Sequence, residues 1–155
     1  MVNAVAVYLI LRRLDGDILI MRRFNTGYMD GMYHPCSGHV EMRELPTEAM
    51  IREAKEEIGI VLKREDLALI HISARPKHDE TGNRIDMFYL ATRWRGRPKI
   101  MESDKCDDMR WSSPDNLPEN FVPHMAHCIA LSRNGILCSE FDLTWIKSHT
   151  VYEIK

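Results

Sequence analysis

The chain has 155 residues, enough for one domain built around one substantial core. Its 45% hydrophobic and 28% charged content is ordinary for a soluble globular protein, and a formal net charge of −2 offers no surface for a long polyanion. Long DNA or RNA is thereby disfavoured as the main partner, and the longest apolar run, residues 4–11, is too short for a helical membrane span.

Residues 3–12 and 17–22 read as two strands separated by the turn-like Leu14-Asp15-Gly16. The first apolar run is followed, not preceded, by Arg12 and Arg13, and no small-residue cleavage site comes after it. A buried strand accounts for it better than a secretion signal. Residues 24–35 form a loop carrying Gly27, Gly31, Tyr28 and Tyr33, with a short extended piece at 38–41. Residues 46–58 read as a helix, with Pro46 suited to its first turn and Gly59 to its stop. Strands follow at 67–74 and 85–94, joined by the polar 77–84 segment. A second loop at 96–108 leads to a short strand at 109–112. A second helix, 122–134, ends at Gly135 and turns Met125, Cys128, Ile129 and Ser132 toward the core. Residues 136–155 are apolar enough to pack but declare no form. Without repeats or linkers, residues 1–155 are expected to form a single domain, a mixed α/β sandwich.

Cys36, Cys106, Cys128 and Cys138 contain no CxxC pair and suit a reducing compartment, so the expected location is cytoplasmic. His34, Cys36 and His39 lie close together but match no common zinc spacing.

The segment Gly38 to Ile60, GHVEMRELPTEAMIREAKEEIGI, carries the chemistry. At about 100° per residue, Glu53, Glu56 and Glu57 share one arc of the helix, with Ile51, Ala54 and Ile58 roughly opposite. Only Glu48 and Arg52 form an i, i+4 pair of favourable order, whereas Glu53 and Glu57 are like charges at that spacing. Such a pair is unfavourable unless a cation lies between its members. A hard divalent ion with oxygen ligands, Mg²⁺, suits that position.

The same segment resembles the Nudix box, G-x5-E-x7-R-E-U-x-E-E-x-G-U with U aliphatic, through Gly38, Glu44, Arg52, Glu53, Ala54, Glu56, Glu57, Gly59 and Ile60. Seven invariant letters coincide, with an accidental probability on the order of 10⁻⁸ per start position from ordinary residue frequencies. The resemblance implies an α/β/α sandwich with a mixed β-sheet between helices. It also implies Mg²⁺ (with Mn²⁺ as a substitute) bound by Glu53, Glu56 and Glu57 and the main chain near Gly38. Arg52 would orient the carboxylates, and Glu44 would support the site from the preceding loop. Two positions depart from the common pattern. Pro35-Cys36-Ser37-Gly38 stands where many members carry Leu-Pro-Gly-Gly, and Arg43 stands where a glycine is common.

The segment Met101 to Trp111 resembles the acidic loop and strand before the second helix of MutT-like nucleotide hydrolases. Glu102 is its leading candidate for a further metal ligand, with Asp104, Asp107 and Asp108 read as surface acidity. Tyr28, Tyr33, Asp86 and Trp111 are the candidate substrate-binding residues, Tyr28 and Tyr33 by stacking on a base. The implied activity is cleavage of a phosphoanhydride in a nucleoside triphosphate or another nucleoside diphosphate derivative, with MutT-like nucleotide sanitation the natural subclass. Alternatives are a dinucleoside polyphosphate or nucleotide-sugar hydrolase, a non-catalytic binding module on the same fold, and an isomerase of isoprenoid diphosphates. The partner is a small nucleotide-like molecule rather than a membrane, and a homodimer is compatible with the family.

Overall fold

The computed structural model describes residues 3–76 and 82–149. A five-stranded sheet runs in the order β4 (Cys36–His39), β1 (Asn3–Leu11), β6 (Asn83–Ala91), β5 (Ala68–Arg75), β8 (Cys138–Glu140). β1 runs parallel to β6 and antiparallel to β4, β5 is antiparallel to β6, and β8 is parallel to β5, so the sheet is mixed. A smaller sheet places β2 (Ile18–Arg23) between β3 (Tyr33–His34) and β7 (Cys106–Ser112).

Alternation along β1 feeds two cores. Ala6, Tyr8 and Ile10 join Phe88, Val122, Met125, Cys128 and Ile129 on one side. Val7, Leu9 and Leu11 join Ala49, Met50, Ala54 and Ile58 on the other. Such a strand reads as a continuous apolar run because both faces are covered. Helix α1 (Pro46–Ile58) thus packs on one face, and α2 (Pro123–Arg133) and α3 (Leu143–His149) on the other. Each large apolar side chain removed from water contributes roughly 1.5–3 kcal/mol, which is what ties the helices to the sheet.

The α/β/α expectation holds, and α1 has the expected limits. Several boundaries differ. Tyr33–His34, expected within a loop, pairs with Met21 and Arg22 as β3. β4 starts at Cys36 rather than residue 38, because Cys36 to His39 pair with Leu9 to Ala6. β6 ends at Ala91, where its pairing with Leu11 ends, so Trp94 lies beyond it. β7 starts at Cys106 because pairing with Arg23 extends it past the expected residue 109. The carboxy-terminal stretch supplies β8 and α3, with residues 150–155 outside the described residues. Of the polar 77–84 segment, residues 77–81 also lie outside them, and Asn83 and Arg84 open β6.

Candidate active site

Local chemistry sets both ends of α1. Pro46 occupies the first turn, and the Glu48 carboxylate accepts the Leu45 N–H at 2.8 Å. Glu48 is therefore a cap, not the partner of Arg52 that its spacing suggested. Gly59 ends the helix with φ +71°, and its N–H donates to the Lys55 carbonyl. Burial of Ala49, Met50, Ala54 and Ile58 against the sheet turns Glu53, Glu56 and Glu57 away from the core.

Arg52 is the hub of this acidic face. Its Nε and Nη2 donate to the two Glu44 carboxylate oxygens at 2.8 and 3.0 Å. Nη1 donates to Glu53 at 2.7 Å and reaches Glu56 at 3.4 Å, and Nη2 also donates to the His39 carbonyl at 3.0 Å. A planar fork suits such bidentate work. Glu44 is fixed from behind as well, accepting the Glu41 N–H at 2.9 Å. These contacts, Arg52 first, hold the Glu44 carboxyl below its usual range.

β4 backs the carboxylates. The Ser37 N–H donates to Glu57 Oε2 at 3.2 Å. A Cβ at Gly38 would stand 2.0 Å from Glu53 Cδ and 2.1 Å from its Oε1, so only glycine leaves room for this carboxylate against the strand. Gly38 was expected to admit a ligand or metal, but the group it admits here is Glu53. The loop after β6 then closes on the end of α1. The Lys99 N–H donates to the Ile58 carbonyl at 3.0 Å and the Met101 N–H to the Glu57 carbonyl at 3.1 Å. Glu102 is thereby close enough to act electrostatically on Glu53 and Glu57.

The electrostatics follow from this crowding. Glu57 is pushed up to about 7, first by burial and then by Glu53 and Glu102, against hydrogen bonds from Cys36 and Ser37. Glu53 is raised by burial and by Glu56 and Glu102, with Arg52 opposing. The Cys36 thiol is raised well above its ordinary value by burial and by the same glutamates. Among the described residues, no three His, Cys, Asp or Glu side chains already converge as a ligand set. Arg52, Ser37, Cys36 and Lys105, the last 3.4 Å from Glu102, are among the groups engaging the carboxylates.

The candidate substrate residues scatter. Tyr33 is buried, donates its hydroxyl to Asp108, and lies under the guanidinium groups of Arg22 and Arg110, 5.7 and 4.5 Å from its ring centre. It is packed scaffold rather than a stacking platform. Asp107, read as surface acidity, pairs with Arg22 at 2.7 Å. Trp111 stacks on Trp94 with Arg13 over its ring, and both tryptophans pack against the α1-side core. Asp86 has 0% exposure, so it does not line a pocket wall as expected. It accepts from the Tyr8 hydroxyl at 3.1 Å and from Arg75 Nε at 2.6 Å, with Arg84 Nε 3.9 Å away. Tyr28 is partly exposed, with the Arg23 guanidinium 5.5 Å from its ring centre, and adds to the field at Arg75. Arg75 and Arg84 line a cavity of about 680 Å³ with Asn83, Phe141 and Asp142. Arg84 also meets the His39 ring at 3.1 Å, next to Gly38.

Sequence reading missed Tyr8, Ser37, Arg75, Arg84 and Met101. A signal existed for part of this set. His71, Ser73 and Arg75 alternate along β5, and Arg84 and Asp86 along β6, giving polar residues at period two within otherwise apolar strands.

Among the described residues, no helix is long and apolar enough to cross a membrane. A family model described as NUDIX domain matches residues 2–131. The chain is 30% identical over 90 residues to the 8-oxo-dGTP diphosphatase of Escherichia coli (strain K12), covering 57% of this chain and 66% of that protein. It is 31% identical over 121 residues to the ADP-ribose pyrophosphatase of Methanocaldococcus jannaschii, covering 78% and 68%. The chain thus spans about two thirds of the length of these two relatives. The crystal structure of a MutT NUDIX hydrolase from Burkholderia pseudomallei is similar with a TM-score of 0.75 and 25% identity, over 84% of this chain and 98% of that one. The MutT protein from Methanosarcina mazei Go1 shares the fold, with a TM-score of 0.70 at 18% identity over 86% and 94%.

Proposed function

This chain belongs to the NUDIX family, and from that premise we propose that it is a Mg²⁺-dependent pyrophosphohydrolase cutting a phosphoanhydride in a nucleoside triphosphate or related nucleoside diphosphate derivative. The observation that carries the reading is the concentration of Glu53, Glu56 and Glu57 on one helix face, with Glu102 acting electrostatically on two of them.

The residues fit a divalent cation. Glu53 lies in a cradle that a Cβ at Gly38 would fill, and both the burial and the neighbouring carboxylates that raise Glu53 and Glu57 are offset by a cation. Four carboxylates give an all-oxygen donor set of the kind a hard ion takes. Glu53, Glu56, Glu57 and Glu102 would hold it, helped by the main chain at Gly38. When bound, the ion supplies Lewis acidity and neutralises charge on the diphosphate. Arg52 keeps Glu53 and Glu56 in place through its anchor on Glu44. Because a metal takes the ionised carboxylate, Glu57 would release its proton when the ion is held. The proton of the attacking water passes to a glutamate of the set. Catalysis here is mainly a matter of placing charge, which the tie between α1, β4 and the 96–105 loop provides.

The nucleoside half of the substrate is read by the other sheet face. Tyr28 and the Arg75–Asp86–Tyr8 cluster lie there, with Asp86 positioning Arg75 rather than touching substrate. The two named relatives, one for 8-oxo-dGTP and one for ADP-ribose, support a nucleotide and define the two readings to separate.

The test is a product analysis of 8-oxo-dGTP, dGTP and ADP-ribose with and without Mg²⁺. Pyrophosphate and a nucleoside monophosphate from the triphosphates support the sanitation reading. AMP and ribose 5-phosphate from ADP-ribose support the nucleotide-sugar reading. The Glu56→Gln/Glu57→Gln double variant is expected to lose about 10²–10³-fold in kcat on whichever substrate is cut, as removal of preorganised charge does elsewhere. Unchanged turnover and Mg²⁺ dependence in that variant would overturn the proposal.

A further inference from the structure

Glu102 is remote in sequence from α1, yet its backbone is gripped on both sides. Before it, the Lys99 and Met101 N–H groups take the Ile58 and Glu57 carbonyls, end groups for which the helix itself has no donor. After it, the Lys105 and Cys106 N–H groups both donate to the Glu102 carbonyl, at 3.0 and 3.1 Å, closing a turn. Further back, Val61 and Arg95 exchange two backbone hydrogen bonds at 2.9 and 3.0 Å.

The Met101 side chain adds a contact that these ladders do not provide. It is 48% exposed, so its burial contributes little to stability. Its Sδ nevertheless lies 2.9 Å, and its Cγ 3.3 Å, from where a Cβ at Gly59 would stand. The thioether therefore sits on the bare Cα of Gly59, at the turn that ends the helix bearing Glu53 and Glu57. A flexible, unbranched thioether suits such an irregular seat.

We propose that Met101 is a positioning residue: with its thioether seated on Gly59 and its N–H on the Glu57 carbonyl, it fixes the Glu102 backbone against the end of the helix that bears Glu53 and Glu57. This rests on the reading of Glu102 as part of the metal-holding set. Met101 itself touches neither metal nor substrate, and its effect passes through Glu102 alone.

The experiment uses the full chain and Mn²⁺ as probe, with free Mn²⁺ counted by EPR in the absence of substrate, alongside kcat and thermal unfolding. Met101→Ala is expected to weaken Mn²⁺ binding and lower kcat by about tenfold, as small misplacements in a preorganised site do. Met101→Leu, nearly equal in volume, is expected to stay within about twofold of the parent. In the Glu102→Gln background, Met101→Ala is expected to change Mn²⁺ affinity no further, because coupled residues are not additive. Three results would overturn the proposal: Met101→Ala binding Mn²⁺ like the parent, a full tenfold loss repeated on top of Glu102→Gln, or Met101→Leu as impaired as Met101→Ala at unchanged thermal stability. If Glu102→Gln alone leaves Mn²⁺ affinity intact, the assignment of Glu102 fails as well. That outcome is distinguishable from a silent Met101→Ala beside an impaired Glu102→Gln, which overturns the role of Met101 only.

Discussion

The two faces of the sheet handle buried charge in opposite ways. On the α1 side, Glu53 and Glu57 crowd together with Glu102, and Arg52 neutralises only part of that charge. On the α2 side, Asp86 is enclosed by Tyr8, Arg75 and Arg84, and its charge is met within the protein. The first arrangement keeps uncompensated charge, which under the proposed function a cation would meet. The second pairs its carboxylate with its own arginine.

Substitutions on the two faces should differ in what they disturb. The largest effect is expected at Asp86. Asp86→Ala leaves a buried guanidinium without its carboxylate and should cost about 3–5 kcal/mol, read as a lowered midpoint in urea unfolding. A midpoint unchanged from the parent would show that the pair is not a structural unit. On the other face, Gly38→Ala should hurt function more than folding. Its Cβ would displace the Glu53 carboxylate, and a loss of about 10²-fold in kcat is expected from misplacing a preorganised group. Mn²⁺ titration of the same variant checks that the loss begins at the metal site.

Proton linkage sharpens the comparison. Glu57 is raised from an ordinary 4.5 to about 7, so the folded metal-free chain retains a proton that the unfolded chain releases between those values. Stability of the metal-free protein contributed by this group is present at low pH and falls as pH rises through that window. Glu44, held below its usual range by Arg52, and Asp30, held below it by Thr26, contribute stability with the opposite pH dependence, present above that range and lost as pH falls through their lowered values. If Glu57 holds the ion as proposed, Mg²⁺ binding would displace its proton, so apparent affinity should rise with pH by up to about tenfold per unit and level off near 7. Calorimetry in buffers of different ionisation enthalpy measures the proton release, and Glu57→Gln should flatten the slope. A slope unchanged in that variant assigns the proton elsewhere.

The smallest effect is expected in the loop before α1. Arg43 adopts φ +66°, a left-handed conformation that costs a non-glycine residue about 1 kcal/mol. The sequence departs from the common box at this position, yet the backbone keeps the geometry that glycine serves. Arg43→Gly should therefore stabilise by at most about 1 kcal/mol, less the entropy that glycine adds to the unfolded chain, visible as a small rise in Tm.

How much of this was legible in the sequence depended on distance along the chain. The limits of α1, its apolar and acidic faces, and the joint placement of Arg52, Glu53, Glu56 and Glu57 follow from helical periodicity, which acts within a few residues. The same holds for β1, whose apolar run declares burial on both faces. Tyr33 and Trp111 were misread because aromatic side chains look alike in sequence whether they face a ligand or, as here, lie under arginines or against another tryptophan. Only the tertiary structure decided that Glu53 fills the space beside Gly38, that Met101 and Lys99 fasten the second loop to the end of α1, and that Asp86 finds Tyr8 and Arg75. Those contacts depend on strand register and on a loop docking across the fold. Neither leaves a local period in the chain, because the residues that meet are brought together by packing the sheet and not by their spacing.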